Sequence, residues 1–190
     1  ILTAEAGVLL GDVITAFLPR GWFPMVTPGT KFVTLGGAIA ADVHGKNHHE
    51  VGSFSSCVEW IDVLSPGGQI TRCSRAENPD LFGWTLGGMG LTGIILRAAI
   101  RLQPVESAWI KQTMLPAPNL FTAMALFEAT QDSTYSVAWI DCLGRGKNMG
   151  RSLVMLGEHA QLADLDRPKT RRPFHVPEKR KLRVPMDFPG

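Results

Sequence analysis

Cysteine is scarce in this chain: Cys57, Cys73 and Cys142 stand far apart, with no Cys-x-x-Cys pair among them. That spacing excludes a zinc ribbon and a disulfide framework, and it leaves buried thiols as the expectation. Charge is thin too. A net charge of +2 over 190 residues is too small an excess to imply a nucleic-acid partner. Long hydrophobic runs are missing as well: "GLTGIILRAAI" is interrupted by Arg97 well short of the roughly 20 apolar residues a membrane span needs, so no span is expected. What is present is ordinary globular material, 45 % hydrophobic, enough for one good core or for one domain and part of another.

Position 1 is Ile and the last residues, "PMDFPG", resemble a loop cut through its middle, so the sequence reads as a piece of a longer protein. The lack of a leader then carries no meaning. Residues 164–190 hold eight Lys/Arg against four Asp/Glu, but prolines at 168, 173, 177, 185 and 189 predict a solvated, irregular segment rather than a binding arm.

Apolar residues at 8, 9, 10, 13, 14, 17 and 18 form a helical stripe closed by Pro19 and Gly21, and "FPMVTP" follows as a short extended piece. "SCVEWIDVLSPGGQITRCS" alternates as two strands joined at Pro66-Gly67-Gly68, a hairpin. Asn78-Pro79 is a cap and first-turn pair for a short helix, and "LTGIILRAAIRLQPV" is a long central strand ending at Pro104. The order is α+β rather than a regular βαβ alternation. After Pro104 the pattern changes: strand ("AWIKQTMLP"), helix ("NLFTAMALFEATQ"), strand ("YSVAWIDCL") and strand ("RSLVMLGEH") suggest a second unit from about residue 107. There is no internal repeat.

The densest concentration of unusual residues is "PGTKFVTLGGAIAADVHGKNHHEVGSF", residues 28–54. His44 and His48 have the i, i+4 spacing of a helical zinc pair, but Gly45 follows His44, no helix-forming run is evident, and Glu50 is not placed as in His-Glu-x-x-His. No metal site is expected, and capping of a polar loop is the plain alternative. Gly36-Gly37-Ala38 after "FVTL" lets main-chain N–H groups approach an anionic group without a Cβ in the way; tight packing of backbone on backbone yields the same composition. Neither a Rossmann Gly-x-Gly-x-x-Gly nor a P-loop is present.

Taken together, "PGT", "VTLGGAIAADVHGKNHH", "GSF" and "PDLFGWTLGGMGLTGII" in this order resemble the PCMH-type FAD-binding domain of the vanillyl-alcohol-oxidase superfamily. "ADVHGKNHHEVGSF" and "GGMGLTGIILRA" look most like its decaprenylphosphoryl-β-D-ribose 2-oxidase branch. The resemblance implies an α+β fold: the second lobe of the FAD domain over residues 1–106, then the start of an α+β substrate domain over 107–190. It also implies noncovalent FAD. In this reading Gly29 and Thr34, Leu35, Gly36 and Gly37 face the cofactor with backbone amides along the pyrophosphate. Ala41, Asp42, Val43 and His44 run beside it, and Ile95 touches the flavin nucleotide. His44 and Lys46 stand at the floor of the substrate pocket as catalytic candidates, Lys46 also as a substrate contact beside a wall residue, Trp139.

The implied reaction is hydride transfer from a carbinol carbon to flavin, oxidising the C2 hydroxyl of a polyprenyl-phosphoryl pentose to a ketone. The implied partners are that lipid-linked substrate and an NAD(P)-dependent reductase that completes an epimerisation in cell-wall precursor synthesis. The implied location is the cell envelope, at its periplasmic face or peripheral to the membrane. An aldonolactone or alditol oxidase of the same fold, or a truncated non-catalytic remnant, are the alternatives.

Overall fold

The structure is a computed structural model and describes residues 1–176. The remainder of the proline-rich basic segment, including "PMDFPG", lies outside the described residues. In chain order the elements are β1 (Leu2–Glu5), α1 (Leu10–Phe17), β2 (Trp22–Pro24), α2 (Leu35–Ala40), α3 (His48–Val51), β3 (Val58–Leu64), β4 (Ile70–Ser74) and α4 (Pro79–Thr85). There follow β5 (Ile94–Ile100), β6 (Leu102–Pro104), β7 (Ile110–Ala117), α5 (Leu120–Ala129), β8 (Tyr135–Ile140), β9 (Ser152–His159) and α6 (Arg167–Thr170). Among the described residues no helix is long and apolar enough to cross a membrane.

The chain is α+β with antiparallel sheets. The first sheet has the order β1-β5-β3-β4, with the predicted hairpin at β3 and β4 and the predicted central strand at β5. Gly68 supplies the positive φ of the hairpin turn. The core neighbours of this sheet are the buried face of α1 (Leu10, Val13) and of α2 (Leu35, Ala38, Ile39). Each fully buried Leu or Ile stabilises by about 1.5–3 kcal/mol. The predicted long strand breaks at Arg101, whose N–H donates to Cys57 O, and the chain continues as β6 to pair with β2.

Four local features differ from the sequence expectation. β1 is absent from it because four residues are too few to show an alternation. α2 occupies a glycine run with no evident helix pattern: Thr34 caps it by accepting a hydrogen bond from Gly37 N, and burial of Leu35, Ala38 and Ile39 outweighs the poor helix propensity of two glycines. Asn78 is not a side-chain cap. It adopts a left-handed φ of 48°, and its amide donates to Arg72 O. Cys57 and Cys73 are buried as expected, but Cys142 is exposed on the turn that leaves β8.

The second sheet has the order β7-β9-β8. One face carries α5, packed on Ala117, Val154 and Leu156 through Ala123 and Phe127. By register, Tyr135, Val137 and Trp139 lie on the other face beside Gly157, Met155 and Leu153. That face meets the first part of the chain at its Tyr135 end, where Ser136 N donates to Lys46 O (2.9 Å), and lies open at its Trp139 end.

Candidate functional site

The N-terminal end of α2 borders a groove of about 340 Å³ lined by Ala6, Gly7, Thr34, Gly36, Gly37, Ala40, Gly90, Gly93, Ile94 and Ile95. Seven of these ten are Gly or Ala, and none is charged, so a flat, bulky group can approach the main chain closely here. Thr34, Gly36, Gly37 and Ile95 are thus brought together in one groove. Gly29 is exposed and outside this lining, and Leu35 points into the core at 0 % exposure.

The expected donor role of the amides needs correction. Leu35 N donates to Val8 O, Gly36 N to Ala6 O and Gly37 N to Thr34 Oγ1, so these three amides are already engaged by protein acceptors. Segment 35–37 offers close approach, not free donors. Gly36 itself is dictated by packing, since a Cβ there would stand 2.8 Å from Ala6 Cβ. Gly37 differs: a Cβ there would meet only Thr34 Oγ1, at 3.0 Å, and otherwise point into open space.

Beyond α2 the chain is pinned in an unusual turn. Asp42 takes φ 42° and accepts hydrogen bonds from Ser53 Oγ and Ser55 N, both at 2.7 Å. Its carboxylate is a staple between two loops. Val43 N donates to Ala38 O, and His44 forms a bridge with Ser53, which leaves exposed Ala41 and exposed His44 on the outer side of the segment. Gly45 must lack a side chain, because a Cβ would come within 2.3 Å of Thr27 O. His44 and His48 rings meet edge-on at 5.4 Å, and His48 opens α3, a helical turn the sequence did not suggest. Among the described residues no group of three or more His, Cys, Asp and Glu is arranged to hold a metal.

Lys46 borders a second cavity of about 380 Å³, with Phe23, Thr27, Ile110, Gln112, Tyr135, Val137, Met155, Leu156 and Gly157. The ten residues from Gly37 to Lys46 therefore begin in the groove and end in a cavity walled by the second sheet. Trp139 is not in that cavity. It is 75 % exposed and lines a separate apolar depression with Pro116, Pro118, Leu143 and Arg151, so the expected pairing of Lys46 with Trp139 in one pocket is not seen.

Residues 1–74 match the FAD binding domain family. Over residues 1–74 the chain therefore carries an FAD binding domain. Decaprenylphosphoryl-beta-D-ribose oxidase of Mycolicibacterium smegmatis is 36 % identical over 193 aligned positions, covering 100 % of this chain and 42 % of that relative. A Streptomyces coelicolor protein described as lying in the mprA 5′ region is 40 % identical over 158 positions, 83 % of this chain and 42 % of its own. Cytokinin dehydrogenase 5 of Arabidopsis thaliana is 33 % identical over 135 positions, 70 % of this chain and 23 % of its own. The chain thus spans less than half the length of these relatives.

Three groups in the site escaped the sequence reading. Gln103, Tyr135 and His159 converge from β6, β8 and β9, with Tyr135 Oη 2.9 Å from His159 Nε2 and Gln103 Nε2 within 3.5 Å of both. Burial raises the Tyr135 phenol above its usual range and lowers the His159 imidazole, with Glu158 opposing the latter. Only the alternation of Tyr135 with Val137 on one strand face could have pointed there, and that pattern is shared with any core strand.

Proposed function

We propose that this chain is part of an FAD-dependent oxidoreductase that oxidises a sugar hydroxyl to a ketone, acting at C2 of a polyprenyl-phosphoryl pentose. In this reading residues 1–106 are the second lobe of a PCMH-type FAD domain and the rest begins the substrate domain. The observation that carries it is the single stretch from Gly37 to Lys46, which joins a side-chain-poor groove to a cavity bearing one ammonium group. Likeness to the mycobacterial oxidase along the whole chain supports the substrate class.

The groove suits FAD: its glycine and alanine lining admits a flat ring against the main chain, and a Cβ at Gly37 would project into open space beside it. Thr34, Gly36, Gly37, Ala41 and Ile95 would hold the cofactor, noncovalently, beside Gly29, Leu35, Asp42 and Val43 on the same segments. When bound, FAD supplies the hydride acceptor. Lys46 places a positive charge where a phosphate oxygen of the substrate can pair with it, and His44 offers ring nitrogens to orient a hydroxyl. A ketone made at the cell envelope would pass to an NAD(P)-dependent reductase for return to the opposite stereochemistry.

The test uses the full-length parent protein. It is expected to purify yellow, to release its flavin on denaturation, and to bleach anaerobically with polyprenyl-phosphoryl ribose. A colourless protein, or bleaching by free alditols or aldonolactones alone, overturns the assignment.

A further inference from the structure

We infer that Tyr135 and His159 form the proton-accepting pair of the Lys46 cavity, with Tyr135 taking the substrate's hydroxyl proton while its own passes to His159. This rests on the reading above and names the base that the reading leaves open. Three observations carry it.

Position is the first. Tyr135 and Lys46 line the same cavity, and Lys46 is its one charged lining residue. The other polar walls, Thr27 and Gln112, are neutral and have no proton-accepting chemistry near neutral pH. Tyr135 is therefore the cavity residue with both a transferable proton and a partner able to receive it.

The second is the direction of the hydrogen bonds. Gln103 Nε2 can only donate; it points one N–H at Pro24 O (3.2 Å) and lies 3.5 Å from Tyr135 Oη. The other Gln103 N–H lies between Tyr135 Oη and His159 Nε2 (3.4 Å), and with Nε2 as an acceptor the Tyr135 proton is free to point at it, 2.9 Å away. That network assigns His159 the tautomer protonated at Nδ1, with Nε2 as acceptor. The imidazole is held by edge contacts with Phe23 and Tyr135, both at 5.4 Å between ring centroids.

The third is the set of protonation states that this burial favours. His159 is shifted downward, so it stands ready as an acceptor near neutral pH, and Tyr135 is shifted upward, so it retains a proton to pass. The groups acting on the pair from neighbouring elements are Glu158 on β9, Glu50 on α3, Lys46 before α3 and Gln103 on β6. Ile110, paired with His159 across from β7, adds no charge.

The step balances as an alcohol oxidation. The substrate O–H bond breaks and its proton goes to Tyr135 Oη; the Tyr135 proton goes to His159 Nε2, forming imidazolium. FAD, when bound, would supply the acceptor for the carbinol hydride, the C–H bond being the one broken and C=O the one formed. His159 then returns its proton to solvent.

The experiment compares full-length holoenzyme with Tyr135→Phe and His159→Gln, matched for FAD absorbance per protein. Anaerobic reduction by polyprenyl-phosphoryl ribose is followed across pH. Wild type is expected to lose rate as pH falls through a value below the usual histidine 6.5. Tyr135→Phe should slow reduction by roughly 10²-fold at neutral pH, and His159→Gln should abolish the acid limb of the profile. In ¹⁵N-histidine spectra, Tyr135→Phe should also shift the His159 Nε2 resonance, a readout independent of turnover. If wild type is reduced and Tyr135→Phe matches it in rate and pH profile, the pair is refuted while the oxidase stands. An unmoved His159 resonance refutes the pair as well. If wild type is not reduced by any alcohol, the oxidase reading falls first and the pair with it.

Discussion

At the scale of single residues, the two adjacent glycines of α2 do different jobs, and the difference is measurable. Gly36 packs its Cα against Ala6, with its N–H on Ala6 O, so an added methyl must push β1 away from α2. Gly36→Ala is expected to destabilise by about 1–3 kcal/mol, the usual cost of overpacking, read as a drop in the denaturation midpoint. Gly37 has only the Thr34 hydroxyl near its missing Cβ and borders the groove. Gly37→Val should therefore fold with a smaller loss, limited to helix propensity and the cap, yet retain much less FAD in the full-length protein. Equal flavin content in Gly37→Val and wild type would show that nothing lies against that residue. Both glycines look alike in sequence; only the neighbour across from each separates packing from access.

At the scale of elements, the first sheet is cross-braced by charge. Asp62 on β3 is 3 % exposed and sits opposite Arg72 on β4 and Arg97 on β5, with bonds of 2.8 to 3.0 Å to both. Arg72 also stacks over Trp60 at 3.7 Å. The Arg72 hydrogen bond, ahead of that from Arg97, holds the Asp62 carboxyl below its usual range against the opposing effect of burial. Because the folded pKa is depressed, the carboxylate's contribution is present above the unfolded value of about 3.9 and is lost as pH falls through the lower folded value. Asp62→Ala is expected to cost about 2 kcal/mol near neutral pH, less than a fully buried pair because both guanidiniums reach solvent. Its thermal midpoint should fall less steeply than wild type below about pH 4. Parallel curves for the two proteins would exclude this role. The hairpin holding this pair was legible because alternation and Pro-Gly-Gly are local signals, and Asp62 and Arg72 even stand five residues either side of Gly67. Arg97 was not, since its partner lies 35 residues away and nothing local marks it. The same holds for α2: its helix comes from tertiary burial of Leu35 and Ile39, which overrides a glycine pair that reads as loop.

At the scale of the whole molecule, the site is assembled from both halves of the chain, and its parts were legible unequally. Four of the ten groove-lining residues, Thr34, Gly36, Gly37 and Ala40, stand in one continuous stretch with Lys46, so a motif reading finds them. Tyr135 enters the Lys46 cavity, with His159 hydrogen-bonded to it, because the second sheet docks on residues 46–49, through Ser136 N on Lys46 O and His49 Nε2 at 2.7 Å from Ser133 O. That docking places a wall on the Lys46 cavity but leaves the groove open, and its size sets a further expectation. A well-formed ligand pocket of about 300–1,000 Å³ buries most of a drug-sized molecule, and FAD is larger than that. The groove, at about 340 Å³, encloses only a portion of such a cofactor. Its three engaged amides at Leu35, Gly36 and Gly37 offer no donors to a diphosphate, so this segment contributes contact area rather than hydrogen bonds. Residues 1–190 produced alone should therefore fold, with the far-ultraviolet signature of an α+β protein, but purify with a small fraction of the flavin carried by the full-length parent. The flavin-to-protein absorbance ratio decides it, and a ratio equal to that of the parent would mean that this half of the site is sufficient by itself.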